Sequence, residues 1–249
     1  MRLPLIVMLL IISASARAMT FEQLPSGCRQ CLVVTTPSWS ATEGRLVAFE
    51  RKSNGLWNST GIETPVRLGR AGLAWGRGLV KADGLLGPHK IEGDNKAPAG
   101  IFQLGTAFGY AQHAPETKMP YLPLSRRIVA VDDSRSRFYN QVIDQSKVAK
   151  KDWQSAEEMI LSDNRYKWGV VVRHNLPPKP GAGSCIFLHV WKNPETPTTG
   201  CTAMPETRMI ELLQWLDPAN HPLLIQLPVR IYNEWNKQWH LPRAGSERR

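Results

Sequence analysis

A cysteine that follows a glycine is the best candidate for chemistry in this chain. Cys201 comes after Thr198, Thr199 and Gly200, and a helix is predicted to follow at residues 205–216. A thiol at the start of a helix has its pKa lowered by the helix dipole, which favours the nucleophilic thiolate. Glycine permits a sharp turn in which backbone N–H groups can face an oxyanion. These residues predict a cysteine nucleophile.

A histidine upstream supplies a candidate base. His189 lies twelve residues before Cys201, in an apolar run at 185–191 that predicts a strand. Because side chains alternate along a strand, Leu188 and Val190 are expected on the opposite face, which leaves the imidazole free to reach the thiol. By themselves, such residues are more often a packed structural cysteine and a histidine whose hydrogen bonds are merely satisfied.

A second histidine competes for this role. His174 ends the preceding predicted strand, residues 168–174, and can face the same pocket. It is a candidate base, a candidate substrate contact or a structural residue, and Asn175 beside it is a second candidate substrate contact. Arg173 is expected on the opposite face of the strand.

The elements that must position these residues are mainly strands. The glycine- and proline-rich stretch 55–109 predicts short strands and loops, and the pattern at 205–216 predicts the best helix of the chain. Helix-forming residues also occupy 154–162. The chain has no repeat and no interior linker, which favours one mostly-β domain with a few helices. Further strands are predicted at residues 32–36, 45–50, 128–131, 223–227 and 229–232.

Two motifs resemble the YkuD-type L,D-transpeptidase family, in which a strand histidine precedes a Ser/Thr-x-Gly-Cys element. They are Ser-Cys-Ile-Phe-Leu-His-Val-Trp at 184–191 and Thr-Thr-Gly-Cys-Thr-Ala-Met at 198–204. The segment at 93–102 is similar to the family's Gly-Asp-x-x-Thr-Pro-x-Gly-x-Phe. The segments at 131–140 and 168–175 resemble a branch of the family with shorter motifs.

The resemblance spans about residues 45–230, with its blocks in the expected order. It differs from many members in a shorter interval between histidine and cysteine, and in Thr199 where a second histidine often stands. Both differences concern the geometry of substrate binding, since the positions of His189 and Cys201 are kept.

The resemblance implies a single YkuD-like β-sandwich as the catalytic domain, at residues 45–240. Residues 19–44 would be a lead-in and residues 241–249 a flexible basic tail. It also implies that Cys201 attacks a peptidoglycan stem tetrapeptide to form a thioester, which an acceptor amine then resolves. Resolution by water would make the protein an L,D-carboxypeptidase, and a non-catalytic peptidoglycan-binding module is a further alternative.

The same resemblance implies roles for residues of the turn. The backbone amides of Gly200 and Cys201 would be the oxyanion donors, and Thr198 or a nearby carbonyl would orient the imidazole of His189. Thr199 is a further candidate for positioning. No metal or other cofactor is implied.

The other cysteines need separate interpretations. Cys28 and Cys31 form a C-x-x-C pair, which is typical of a local disulfide, of two labile thiols or of a thiol-disulfide oxidoreductase. Cys185, in an apolar strand, is predicted to be structural.

The N-terminus and the charge predict an exported protein. Arg2 precedes an apolar run at 3–12, and Ala-Arg-Ala at 16–18 is typical of signal peptidase cleavage, so residues 1–18 are predicted to be a signal peptide. The run is too short to span a bilayer, and no membrane span is expected after cleavage. The net charge is +10, or +8 without Arg2 and Arg17. An exported basic surface, in the periplasm or cell wall, favours an acidic polymer or a membrane surface as partner and not nucleic acid, although such a charge also serves ordinary solubility.

Overall fold

The computed structural model describes residues 24, 25 and 27–243. The predicted signal peptide, 1–18, lies outside the described residues, as do residues 244–249 of the predicted tail.

The described residues form thirteen β-strands and two α-helices, so the mostly-β class is confirmed. The strands are β1 (Gln30–Thr36), β2 (Glu43–Arg51), β3 (Trp57–Arg67), β4 (Leu73–Trp75), β5 (Ala97–Gly109), β6 (Tyr121–Pro123), β7 (Ile128–Val131), β8 (Gln141–Asp144), β9 (Glu157–Glu158), β10 (Trp168–Val172), β11 (Phe187–Val190), β12 (Thr202–Met204) and β13 (Leu223–Pro228).

The main sheet closes on itself. Its strands follow the order β10-β11-β12-β3-β2-β1-β13-β5, and β10 also pairs with β5, while β4 and β6 attach to β5. Strand β1, which falls in the predicted lead-in, pairs parallel with β13 and antiparallel with β2. The strands around residues 55–109 are longer than the predicted short pieces, since β3 has 11 residues and β5 has 13.

A small second sheet, with strand order β8-β7-β9, packs beside the main one. The apolar side chains between the two form a cluster separate from the main core, and we call it the site cluster. Strand alternation separates the two clusters, because Leu188 and Val190 of β11 join the main core while Phe187 joins the site cluster. The buried members of the site cluster are Phe108, Leu124, Ile128, Ala130, Met159, Tyr166, Cys185, Phe187 and Cys201.

The two helices, α1 (Glu206–Trp215) and α2 (Val229–Trp239), confirm one prediction and correct another. Helix α1 matches the predicted helix and buries Met209, Leu212 and Leu213. The strand predicted at 229–232 is wrong, because α2 begins there. Its buried residues Tyr232 and Trp235 are three positions apart, a spacing that places both on one face of a helix.

The helix-forming stretch at 154–162 is not a helix. Glu157 and Glu158 form β9 and pair with Ala130 and Val129 of β7. Sheet pairing and the burial of Met159 outweigh helix propensity, which is a weak preference of a few tenths of a kcal/mol per residue. In the part of the chain from 27 to 243, no helix is long and apolar enough to cross a membrane.

Candidate active site

The candidate nucleophile, Cys201, directly precedes β12, and the candidate base lies on β11, the parallel neighbour of β12. In the register of β11 and β12, His189 is opposite Ala203. Two residues earlier along each segment, the backbone N–H of Phe187 donates to the sulfur of Cys201, at 3.3 Å. Alternation along each strand therefore directs the side chains of Cys201 and His189 to the same face of the sheet. That face is the one covered by the site cluster.

The thiol of Cys201 is buried and neutral. Its exposed fraction is 7%, and the thiol donates to the carbonyl of Cys185 at 3.7 Å. Burial raises its pKa to about 12, and the charge of Glu157 acts in the same direction. The expectation of a lowered pKa is wrong in this state of the protein. Strand β12 separates Cys201 from the start of α1, so the helix dipole does not act on the sulfur at close range.

The imidazole of His189 is also neutral, and one of its nitrogens is held. Its exposed fraction is 4%, and burial lowers its pKa to about 4. Nδ1 lies 2.7 Å from the carbonyl oxygen of Val190. Because a carbonyl oxygen can only accept, Nδ1 carries the proton and Nε2 carries the lone pair. This is the tautomer that a base acting through Nε2 requires.

The turn before Cys201 is shaped by Thr198. Its hydroxyl donates to the carbonyl of Cys201 at 2.6 Å and accepts from the N–H of Gly200 at 3.1 Å. Thr198 therefore folds the turn, while the carbonyl of Val190 orients the imidazole. Gly200 has a φ of +154°, which side chains other than glycine rarely adopt. Thr199 is exposed beside this turn.

The turn formed by residues 93–96 packs against the turn at residues 198–201, which ends at Cys201. A Cβ on Gly69, which bridges to Thr198, would lie 2.4 Å from the carbonyl oxygen of Asn95. The 93–96 turn is held by a buried ion pair between Asp94 and Lys90, 2.5 Å apart, whose side chains are 8% and 4% exposed. This turn packs on the backbone beside the candidate nucleophile, since the carbonyl oxygen of Lys96 lies 3.3 Å from the Cβ position of Gly200.

His174 and Asn175 are buried, and most of their hydrogen-bond partners are backbone groups. Nδ1 of His174 accepts from the N–H of Arg77 at 3.3 Å, and Nε2 donates to the carbonyl of Ala182 at 3.1 Å. Burial lowers the pKa of His174 to about 4. The side chain of Asn175 donates to the carbonyls of Lys179 and Gly183, at 3.0 Å each. Both residues hold the loop that leads into β11, and their side chains are directed at backbone groups of that loop and at Arg77.

Three residues near the pair were not singled out by the sequence. Asn140 donates to the carbonyls of His174 and Asn175 and accepts from the N–H of Cys185, at 2.8, 3.0 and 2.9 Å. Tyr166 packs against His189, and its hydroxyl donates to Glu157 at 2.6 Å. Asn140 lies in a segment that resembles the family. Nothing in the spacing of the other two connects them with His189.

The C-x-x-C pair is remote from this chemistry. The sulfur atoms of Cys28 and Cys31 lie 3.6 Å apart, both residues are 0% exposed, and both belong to the main core. Burial raises the pKa of Cys31, while the hydrogen bond from Cys31 lowers that of Cys28. A thiol-disulfide oxidoreductase needs an accessible attacking sulfur, which neither residue offers. Cys185 is packed in the site cluster and donates to the carbonyl of Val131 at 3.5 Å.

Within residues 27–243, no group of three or more His, Cys, Asp or Glu side chains converges as metal ligands would. Comparisons with protein-family models, with curated proteins and with solved structures found no match to this chain. Its function therefore has to be inferred from the geometry of its own residues and from the motifs in its sequence.

Proposed function

We propose that this protein is a peptidoglycan L,D-transpeptidase in which Cys201 is the nucleophile and His189 is the base. The observation that supports this most is that the thiol, directly before β12, and the imidazole, on β11, face the same side of the sheet, with Nδ1 of His189 held by the carbonyl of Val190. The motifs around both residues resemble those of the YkuD-type family. We also propose that the catalytic domain is a YkuD-like β-sandwich and that the protein is exported.

The neutral resting state favours general-base catalysis over a preformed ion pair. Nε2 of His189 takes the thiol proton while the sulfur of Cys201 attacks the carbonyl before the terminal D-amino acid. The tetrahedral intermediate then collapses, the imidazolium gives its proton to the departing amine, and a thioester remains. An acceptor amine attacks the thioester, its proton passes to the imidazole, and the thiol is restored. Transfer to an amine gives an L,D cross-link.

Burial of the pair requires movement before a stem peptide can bind. Cys201 is 7% exposed and His189 is 4% exposed; the site cluster, which includes residues of the small sheet, packs around Cys201, and its member Tyr166 packs against His189. Displacing part of this cover would admit the substrate and would also hydrate the thiol, which lowers its pKa toward the ordinary value. The N–H of Gly200 would have to leave Thr198 to donate to an oxyanion.

Intact-mass spectrometry with a disaccharide tetrapeptide tests this function. We expect an adduct of the mass of the acyl-tripeptide on the wild-type protein, none on Cys201→Ala, and a loss of about 10²-fold or more in its rate of formation on His189→Asn, the range of a general base. Cys185→Ala is the matched control, because Cys185 is a buried thiol in the same cluster. This variant should still form the adduct.

The products separate the alternatives. Cross-linked dimers indicate transfer to an amine, while free tripeptide alone indicates an L,D-carboxypeptidase. If the tetrapeptide binds equally well to wild type and Cys201→Ala and no adduct or product forms, the protein is a binding module and the proposed enzyme is wrong.

A further inference from the structure

A buried tyrosine beside the candidate base takes no part in the steps above. The ring of Tyr166 meets the imidazole of His189 edge-on, with 5.2 Å between centroids and 89° between planes. It makes the same kind of contact with Phe187, at 5.6 Å and 89°. Tyr166 is 4% exposed, and its hydroxyl donates to Oε1 of Glu157 at 2.6 Å. The tyrosine is therefore fixed both at its ring and at its hydroxyl.

Glu157 lies where a charged carboxylate loses much of its hydration, which costs free energy. It lies on β9 beside the apolar site cluster, where burial raises its pKa, and the hydrogen bond from Tyr166 offsets only part of this effect. The charged groups that act on it are Asp132 at the end of β7 and Arg165 next to Tyr166. Glu157 in turn acts on the thiol of Cys201.

Backbone hydrogen bonds with Val190 and Arg165 hold the imidazole of His189 at its edge. Such bonds still allow the ring to tilt, and a tilt moves Nε2 relative to the sulfur. A perpendicular aromatic ring against the imidazole removes this freedom, because edge-to-face packing has a preferred orientation. The ring of Tyr166 packs against Phe108 and Phe187, and the hydrogen bond to Glu157 fixes the position of its hydroxyl end.

We propose that Tyr166 is a positioning residue for the imidazole of His189 and that Glu157 anchors Tyr166 through its hydroxyl. This inference rests on the proposed pairing of His189 with Cys201. Because Glu157 belongs to β9 and His189 belongs to β11, the base is held in its working orientation only when the small sheet lies against the main one. Movement of the small sheet away from Cys201 would therefore also release the imidazole of His189 from its orientation.

Alkylation of Cys201 by iodoacetamide tests this without any peptidoglycan substrate. The rate is measured by peptide mapping at pH 7, where the thiol needs the base, and at pH 10, where hydroxide ionises more of it. Tyr166→Phe keeps the ring and loses the anchor, and Glu157→Gln keeps an acceptor for the hydroxyl. Glu158→Gln, the exposed neighbour on the same strand, is the matched control.

We expect Tyr166→Phe to lower the rate at pH 7 by about tenfold and to leave the rate at pH 10 near that of wild type, as for a small misplacement of a catalytic group. His189→Ala, which has no base, should show the largest loss of the alkylation rate at pH 7. Glu157→Gln should react at pH 7 at least as fast as wild type, because the hydrogen bond is kept and a negative charge near the sulfur is removed. Glu158→Gln should match wild type.

If the ratio of the alkylation rates at pH 7 and pH 10 is the same in Tyr166→Phe as in wild type, the tyrosine is only structural and the inference is overturned. This holds even if the variant has a lowered melting temperature. A loss in Glu157→Gln as large as in Tyr166→Phe would assign the effect to charge, which also overturns it. In turnover assays, positioning predicts a lower kcat with KM unchanged, and a raised KM alone contradicts it. If the alkylation results hold but no muropeptide is acylated, the positioning role stands and the proposed substrate is wrong.

Discussion

At the scale of single residues, burial decides the protonation of the candidate site. The thiol of Cys201 and the imidazole of His189 are both kept neutral, with pKa values shifted to about 12 and about 4. The thiolate is the reactive form of cysteine, so a neutral thiol is protected from oxidation. Under the proposed mechanism, the reactive state forms when substrate displaces the cover.

The buried histidines predict how stability depends on pH. His174 and His189 each protonate near pH 6.5 when unfolded and near pH 4 when folded, so the unfolded chain binds more protons between these values. The free energy of unfolding should therefore fall as pH falls from 6.5 to 4, by about 1.4 kcal/mol per pH unit for each histidine. Urea denaturation at half-unit pH steps measures this slope.

A variant that cannot titrate provides the control for this slope. His174→Gln should be less stable at every pH, and the contribution of one histidine should disappear from its slope between pH 6.5 and 4. An unchanged slope in His174→Gln would show that this imidazole does not hold the low pKa.

At the scale of elements, the position of β11 depends on a glycine in the adjacent strand. Gly169 of β10 pairs with His189, and a Cβ on Gly169 would lie 2.4 Å from the ring of Phe108 and 2.8 Å from the carbonyl of Leu188. Real Cβ atoms do not approach so closely, so a side chain there must push β10 away from β11 or from β5.

Gly169→Ala should lower the free energy of unfolding by about 1–3 kcal/mol, the usual cost of overpacking, and should reduce acylation as well. Gly105→Ala is the matched control, since its Cβ on the neighbouring strand β5 would meet no atom closer than 3.4 Å. We expect its stability within about 0.5 kcal/mol of wild type. Equal effects of the two substitutions in urea denaturation would contradict this account of β11.

At the scale of the whole molecule, a set of tryptophans joins the two ends of the described chain. Trp39 meets Trp75 edge-on at 4.9 Å, and Trp75 stacks on Trp235 of α2 at 5.4 Å. Trp235 and Trp239 are neighbours at 4.4 Å. Together with the parallel pairing of β1 and β13, these contacts make the N-terminal and C-terminal segments parts of one core.

Trp235→Ala should therefore destabilise the whole fold, by about 3–5 kcal/mol in urea denaturation, as for other buried large aromatic residues. All spectroscopic probes should unfold together, because the core is shared. Leu86→Ala is the control, since this side chain is 93% exposed and should change stability by less than about 0.5 kcal/mol. If α2 melts separately while the sheet remains folded, the tryptophans do not couple the two.

The prediction of elements from the sequence succeeded where the local pattern was long. Helix α1 and the pair β10 and β11 follow from the periodicity of the sequence. Helix α2 is not predicted, because the pattern at residues 229–232 indicates a strand, although Tyr232 and Trp235 have helical spacing. The residues at 154–162 were misassigned because pairing with β7 outweighs their helix propensity.

The sequence by itself determined the mostly-β class, the candidate pair Cys201 and His189, and the turn around Gly200. These features depend on residue type, alternation and short-range spacing, which are local. Only the tertiary structure decided that the main sheet closes through β10 and β5, that the thiol and imidazole are neutral, and that Tyr166 and Glu157 lie beside them. Closure, burial and such contacts depend on residues far apart in the chain, and the free energy of a charge depends on how much water surrounds it.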